Sequence, residues 1–87
     1  MTYKVELSKK AKKEFDRLPL AAQKSLLPKI EALADNPRPQ GSKSIVGQNN
    51  MYRIRDGVYR AVYTIHDDIV LVFVVRVEHR KDAYRGL

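Results

Sequence analysis

The segment Ile69-Val70-Leu71-Val72-Phe73-Val74-Val75 most constrains the fold, because all of its residues are apolar. An apolar run of this length after the turn-forming pair Asp67-Asp68 is typical of a central β-strand covered on both faces. It is far too short to cross a bilayer as a helix, which takes about 20 apolar residues. We therefore expect a β-sheet centred on this segment, and no membrane partner.

A hairpin is predicted upstream, where Asp56-Gly57 separates two alternating runs. With the turn at these two residues, Arg53 lies opposite Arg60 and Arg55 lies opposite Val58. One face of the hairpin then carries Tyr52, Ile54, Tyr59 and Ala61, and the other carries Arg53, Arg55 and Arg60. We call the second of these the arginine face.

The first part of the chain predicts one strand and two helices. Alternation over residues 3–7 indicates a half-buried strand, and Ser8 is a suitable N-cap for a helix that ends before Pro19. A second helix is predicted from Leu20 to Asp35. Pro28 conflicts with it, so we expect a kink or a helix that effectively begins near Lys24. A loop follows, to about Asn50.

The order strand, helix, helix and three strands predicts an α+β fold, with two N-terminal helices packed on a small antiparallel sheet (β-α-α-β-β-β). The 87 residues allow a single domain, 1–87. A formal net charge of +7 suits a nucleic acid or an acidic protein as partner. The lack of cysteine fits a reducing cytoplasm.

The arginine face indicates a binding function. Like charges opposite each other on a strand pair are destabilising, and arginine binds phosphate oxygens bidentately. Three independently solvated surface charges are the alternative interpretation. The C-terminal segment adds Arg80, Lys81, Tyr84 and Arg85, which suits phosphate binding with a base stacked on the tyrosine. On these residues alone, a tail tyrosine that closes the end of the sheet is the favoured interpretation of Tyr84.

Two tracts resemble a known family. Residues 51–63, Met-Tyr-Arg-Ile-Arg-Asp-Gly-Val-Tyr-Arg-Ala-Val-Tyr, resemble the central signature of the RelE/ParE toxin superfamily. Residues 75–84, Val-Arg-Val-Glu-His-Arg-Lys-Asp-Ala-Tyr, resemble the RelE branch in particular. The resemblance implies a ribosome-dependent endoribonuclease that cuts mRNA and is neutralised by an acidic antitoxin. Its functional positions match Arg53, Arg55, Arg60, Arg80 and Tyr84.

The resemblance and the residues together favour a cleavage without metal or other cofactor, in which the 2′-hydroxyl attacks the adjacent phosphate. Arg60 would stabilise that phosphate, and Arg80 the phosphate or the leaving oxygen. Tyr84 would stack on a base, while the flanking RNA would be held by Arg53, Arg55, Lys81 and Arg85. Relatives often carry a lysine at the position of Arg55, and an arginine there is a poor general base. His79 is therefore the candidate for the general base, although it could be an ordinary exposed histidine.

Four lysines of the first helix have two interpretations. Lys9, Lys10, Lys12 and Lys13 form a solvated face by default, and the resemblance suggests docking on ribosomal RNA. Three other functions stay open for the whole chain. They are a ParE-type poison of DNA gyrase, an RNA-binding module without catalysis, and a toxin that has lost its activity.

Overall fold

A mixed β-sheet forms the framework of the chain in the computed structural model, which describes residues 2–80. The elements are β1 (Lys4–Leu7), α1 (Lys9–Asp16), α2 (Leu20–Glu31), a 3-10 turn (Ala32–Ala34), β2 (Lys43–Ser44), β3 (Met51–Asp56), β4 (Tyr59–His66) and β5 (Leu71–His79). The strand order is β1-β5-β4-β3-β2. The predicted α+β class and the element order are confirmed, with two differences in the sheet.

Both differences concern the edges of the sheet. The strand β1 runs parallel to β5, whereas the prediction was an antiparallel sheet. The strand β2 lies inside the segment that was predicted as a loop, and it pairs with β3 through Lys43 opposite Arg53 and Ser44 opposite Tyr52. A strand of two residues is too short to show an alternating pattern in the sequence.

The core lies between the two helices and one face of the sheet. Ala61, Tyr63 and Ile65 of β4 are fully buried on that face. The buried residues packed with them are Ala11, Leu26, Ile30, Leu33, Ile54, Val72, Val74 and Val77. We call this side of the sheet the helix face, and it is opposite to the arginine face.

The apolar run that predicted a central strand is covered less completely than expected. β5 lies between β1 and β4, and Val72 and Val74 are fully buried on the helix face. Leu71, Phe73 and Val75 are only half-buried. Ile69 is 64% exposed in the turn before the strand. The run is therefore an interior strand with one covered face, and its two first residues belong to a turn.

The second helix begins at Leu20 and continues through Pro28 to Glu31. The alternative start near Lys24 is therefore wrong. The missing N–H of Pro28 costs one hydrogen bond, but burial of Leu26 and Ile30 on either side of it favours the helical path. A 3-10 turn then places Leu33 in the core.

The hairpin turn is formed by Gly57 and Val58, so the predicted register was wrong. Arg55 pairs with Arg60, and Asp56 pairs with Tyr59. Gly57 has a φ of +62°, and a glycine at the first central position is typical of one of the two favoured hairpin turns. The shift moves each pairing by two residues, so the predicted faces are preserved.

Charged side chains from both helices reach β5 and β3 where these strands extend past their neighbours. Beyond the end of β1, the Glu14 carboxylate of α1 accepts a hydrogen bond from the backbone N–H of Val77 at 2.9 Å. On the other side, the Lys29 ammonium of α2 donates to the Arg55 carbonyl at 3.2 Å. Each contact satisfies a backbone group that lacks a strand partner at that point.

The loop after α2 is attached to the sheet by buried and exposed contacts. The fully buried Tyr63 donates its hydroxyl hydrogen bond to the Pro37 carbonyl at 2.7 Å, and burial raises the pKa of this hydroxyl to about 12. At the surface, Arg38 contacts the Asp67 carboxylate at 2.8 Å. Tyr3 donates to the same carboxylate at 2.6 Å, so three segments meet at Asp67.

We expect Tyr63→Phe to lower the free energy of unfolding by about 1–3 kcal/mol, because it leaves the buried Pro37 carbonyl without a donor. Urea denaturation measures the change. The control is Tyr52→Phe, which removes a hydroxyl bonded to the exposed Arg38. Equal losses in the two variants would contradict the importance of the buried bond.

We expect Asp67→Asn to reduce the sensitivity of the fold to acid. Hydrogen bonds from Arg38 and then Tyr3 hold the pKa of Asp67 below its ordinary value. The stability from this contact is therefore complete above the unfolded-state pKa of about 3.9 and is lost as the pH falls through the lower folded-state pKa. Urea midpoints across the acid range measure this loss. Asp68→Asn in the same turn should keep the wild-type decline; a decline equally steep in Asp67→Asn would refute the assignment.

Candidate functional site

Three cross-strand rows of residues build the arginine face. The register places Arg55, Arg60 and Glu78 in one row, and Lys43, Arg53, Val62 and Arg76 in the next. Arg80 extends a third row, since its backbone N–H donates to the Val58 carbonyl at 2.6 Å. Residues opposite each other on neighbouring strands lie about 5 Å apart. The positive charges of these rows therefore combine over the same region of the surface.

Arg55 and Arg60 are like charges that lie directly opposite each other in this surface. The Arg55 carbonyl points toward Lys29 and away from β4, so these two residues form a non-hydrogen-bonded pair. Such pairs bring Cα atoms to about 4.5 Å, the shorter of the two antiparallel spacings. Arg55 is exposed, whereas Arg60 is only 6% exposed. The low-dielectric position of Arg60 strengthens its field.

A carboxylate joins the same row from β5. Glu78 is 8% exposed and lies opposite Arg60 in the sheet register. Its Oε2 lies 3.1 Å from the Arg76 guanidinium but is not aligned for a hydrogen bond, so this contact is Coulombic. The Glu14 carboxylate of α1 lies 3.9 Å from the same Arg76 nitrogen. This part of the face is therefore partly neutralised, in contrast to the side that carries Arg53 and Arg55.

The structure brings together four of the predicted site residues: Arg53, Arg55, Arg60 and Arg80. The first three share a face as predicted, although Arg60 lies opposite Arg55 and not opposite Arg53. Arg80 is exposed at the end of β5, and strand alternation assigns it to the same face as Glu78. The predictions for Lys81, Tyr84 and Arg85 fall outside the described residues.

His79 is not brought to the arginine face by the register. It pairs with Tyr59, one position from the pair of Arg60 and Glu78, so alternation places it on the helix face. Its ring packs edge-on against the Tyr59 ring, with 5.3 Å between centroids. The His79 ring borders a groove of about 430 Å³ that Leu18 and Pro19 also line. Its role as the base stays a prediction.

The lysines of α1 lie on the helix side of the molecule. Lys9, Lys10, Lys12 and Lys13 are all exposed. Three of them, Lys9, Lys10 and Lys13, line one shallow surface depression with Arg17. Because α1 packs on the helix face through Ala11, the sheet separates this cluster from the arginine face. Its proposed docking on ribosomal RNA is a separate function from binding at the arginine face.

Sequence reasoning missed three members of the face: Lys43, Arg76 and Glu78. Lys43 belongs to the short strand that had no alternating pattern, and only its pairing with Arg53 places it here. A bulge in the pairing after Val62 assigns Arg76 and Glu78 to this face. Arg76 directly follows the apolar run that predicted the central strand. This position was the sequence signal that could have identified the end of β5 as part of the site.

Two further observations concern residues 2–80. No group of three or more His, Cys, Asp or Glu side chains is placed to hold a metal ion there. No helix in this part of the chain is long and apolar enough to cross a membrane.

Comparisons with known proteins identify the class to which this fold and site belong. The family model described as the ParE toxin of the type II toxin-antitoxin system, parDE, matches residues 5–84. The chain therefore belongs to this family of type II toxins. Within the family it is a RelE-type toxin, as relatives and solved structures show.

The mRNA interferase toxin RelE of Escherichia coli K12 is 31% identical over 83 residues, which cover 93% of this chain and 86% of that protein. RelE in the archaeal RelE-RelB complex from Pyrococcus horikoshii has a TM-score of 0.80 at 26% identity, with 92% of this chain and 97% of that chain covered. A mutant of the E. coli toxin RelE in the free state has a TM-score of 0.81 at 28% identity, with 97% and 90% covered.

We expect Arg55→Gln to stabilise the free protein by up to about 1 kcal/mol at low salt, because it removes the repulsion across the strands. The gain should shrink as salt screens the pair. Urea denaturation at several salt concentrations measures it. Lys24→Gln on α2 removes the same charge from an exposed position on a helix and is the control. An Arg55→Gln variant no more stable than this control would contradict the prediction.

Proposed function

We propose that this chain is the toxin of a type II toxin-antitoxin pair and that it cleaves mRNA on the ribosome. One observation carries the proposal: the cations of β3, β4 and the end of β5 share one face of the sheet, with Arg55 directly opposite Arg60. A polyanion bound there relieves a repulsion that the free protein contains. The chain shares its fold with RelE toxins, and the related E. coli protein is named an mRNA interferase.

The proposed reaction is a transesterification within the RNA. The 2′-hydroxyl oxygen forms a bond to the adjacent phosphorus as the bond from phosphorus to the 5′-oxygen breaks. A base takes the proton of the 2′-hydroxyl, and the leaving 5′-oxygen gains a proton. The products are a 2′,3′-cyclic phosphate and a 5′-hydroxyl. Negative charge accumulates on the phosphate in the transition state, and this charge is what arginine side chains can stabilise.

Roles follow from positions on the arginine face. Arg60, which lies in the low-dielectric centre of the row, stabilises the phosphate at the cut. Arg80, which is exposed at the end of β5, contacts this phosphate or the leaving oxygen. Arg53 and Arg55 hold flanking phosphates with bidentate contacts. The family match includes Tyr84, to which we assign stacking on the base beside the cut, with Lys81 and Arg85 as further RNA contacts.

His79 is the candidate base in this scheme, and its position restricts how the RNA can bind. It precedes Arg80 at the end of β5, where its ring lies on the helix face. A ribose bound over the end of the strand would contact both sides of the sheet. This arrangement would bring the 2′-hydroxyl to the His79 ring while the phosphate stays on the arginine face.

Docking on the ribosome and inhibition by an antitoxin would also use other parts of the protein surface. The exposed lysines of α1 suit ribosomal RNA, a contact that weakens with salt and leaves the cut site unchanged. An acidic antitoxin segment that folds on binding suits the excess of positive charge. The P. horikoshii structure contains RelE together with RelB. The ribosome and mRNA as targets imply action in the cytoplasm.

The test is cleavage of one defined message in a purified translation system, with 5′ ends mapped by primer extension. Toxin is added with and without ribosomes. We expect ribosome-dependent cuts within codons, and at least a roughly 100-fold loss of rate in the double variant Arg60→Ala, Arg80→Ala. Lys24→Gln is the control for loss of a remote charge.

The other outcomes separate the alternatives. A folded protein that makes no cuts but inhibits DNA gyrase would be a ParE-type poison, and the proposal would be wrong. A folded protein that neither cuts nor poisons cells would be a binding module or an inactive toxin. Thermal unfolding of the double variant shows whether a loss of cleavage reflects a loss of fold, and the single variant Arg80→Ala changes only an exposed side chain.

A further inference from the structure

A small pocket lies where the arginine face meets β2. It has a volume of about 180 Å³, and its lining residues are Gly41, Lys43, Arg53 and Arg55. Three of these four residues are cationic. The roles assigned above use the two arginines, but none of them involves Lys43 or this pocket.

The geometry of the sheet holds the three cations at fixed positions. Lys43 lies directly opposite Arg53 in the pairing of β2 with β3, and Arg55 lies two residues further on the same face. Lys43 is exposed. Nothing lies within 4 Å of the place where a side chain on Gly41 would begin, so the mouth of the pocket opens to solvent.

These cations lack the neutralising partners found elsewhere on the face. Within residues 2–80, no carboxylate forms an ion pair with the side chain of Lys43, Arg53 or Arg55. At the other end of the row, Arg76 has both Glu14 and Glu78 beside it. Three like charges therefore converge on one small volume at the β2 edge and make it a region of positive potential.

We propose that this pocket is a phosphate subsite for the RNA backbone, with Lys43 as its additional ligand. The inference rests on the proposed function and deepens it. The RNA crosses the strands, with the phosphate at the cut beside Arg60 and Arg80 and a flanking phosphate in the pocket. Lys43 supplies a point charge there, and the two arginines supply bidentate contacts.

The size and position of the pocket favour a phosphate of the same RNA over other anions. A pocket of 180 Å³ is smaller than the range of about 300–1,000 Å³ that whole small ligands occupy, so it suits one charged group of a longer chain. Arg55 lines the pocket and also pairs with Arg60. An RNA backbone that contacts Arg60 therefore passes next to the pocket.

The experiment compares Lys43→Gln with Lys24→Gln, which removes the same charge from an exposed position on α2. The probe is a short single-stranded RNA with methylated 2′-oxygens, which cannot be cut, and binding is followed by fluorescence anisotropy across salt concentrations. We expect Lys43→Gln to weaken binding about three- to tenfold at low salt. The slope of log K against log salt should become smaller by about 0.7, the value for one phosphate of a single strand.

A second arm identifies the phosphate. Replacing single phosphates of the probe by neutral methylphosphonates should weaken wild-type binding at one flanking position. The same replacement should weaken binding less in Lys43→Gln, in which only the contacts of Arg53 and Arg55 remain to be lost. In the ribosome assay, Lys43→Gln should cut at unchanged positions with a raised KM and an unchanged kcat. A change of cut position would overturn the assignment of Lys43 to a flanking phosphate.

Each remaining result decides the question. Equal affinities and salt slopes for Lys43→Gln and Lys24→Gln would overturn the pocket. A loss of binding to an acidic antitoxin peptide, with RNA binding intact, would overturn it in favour of a protein partner. A wild type that shows the Lys43-dependent phosphate contact but never cuts messages would refute the proposed cleavage and leave the phosphate subsite standing.

Discussion

Burial of one side of β4 is the constraint on which the arginine face depends. Ala61, Tyr63 and Ile65 are fully buried against the helices, and each large apolar side chain contributes about 1.5–3 kcal/mol when buried. A strand alternates, so Arg60 must then point to the opposite side. Repulsion from Arg55 costs at most about 1 kcal/mol, which is too little to change the register. The core therefore imposes the charge cluster that the proposed function uses.

Patterns with a period of two allowed the faces of the hairpin to be predicted, but not its register. Side chains alternate between the two faces of a strand, so a shift of the pairing by two residues does not change the face of any side chain. Tyr52 and Ile54 therefore stay on the helix face, and the three arginines stay on the arginine face. The choice between Asp56-Gly57 and Gly57-Val58 as the turn depends on backbone angles, which the composition of the dipeptide does not determine. The alternation of apolar and polar residues in β1 likewise does not indicate whether the strand runs parallel or antiparallel to its neighbour.

Site residues close in sequence were easier to predict than those that meet through pairing. Arg53, Arg55 and Arg60 belong to one hairpin, so their common face follows from local alternation. Lys43 joins them only through a two-residue strand at the end of a long loop. The side of the sheet that His79 occupies depends on the bulge after Val62, because one extra residue in a strand reverses the faces of everything beyond it. No pattern in the sequence indicated that bulge.

The contacts of the two helices with β5 and β3 bear on where another chain could add a strand to the sheet. An exposed strand edge is a template on which another chain can add a strand. Here a carboxylate from α1 occupies the Val77 N–H of β5 beyond the end of β1, and an ammonium from α2 occupies the Arg55 carbonyl of β3. An incoming strand would have to displace these side chains before it could pair with β5 or β3 at these two points. Strand addition is therefore left to the outer sides of β1 and β2, the two terminal strands of the sheet.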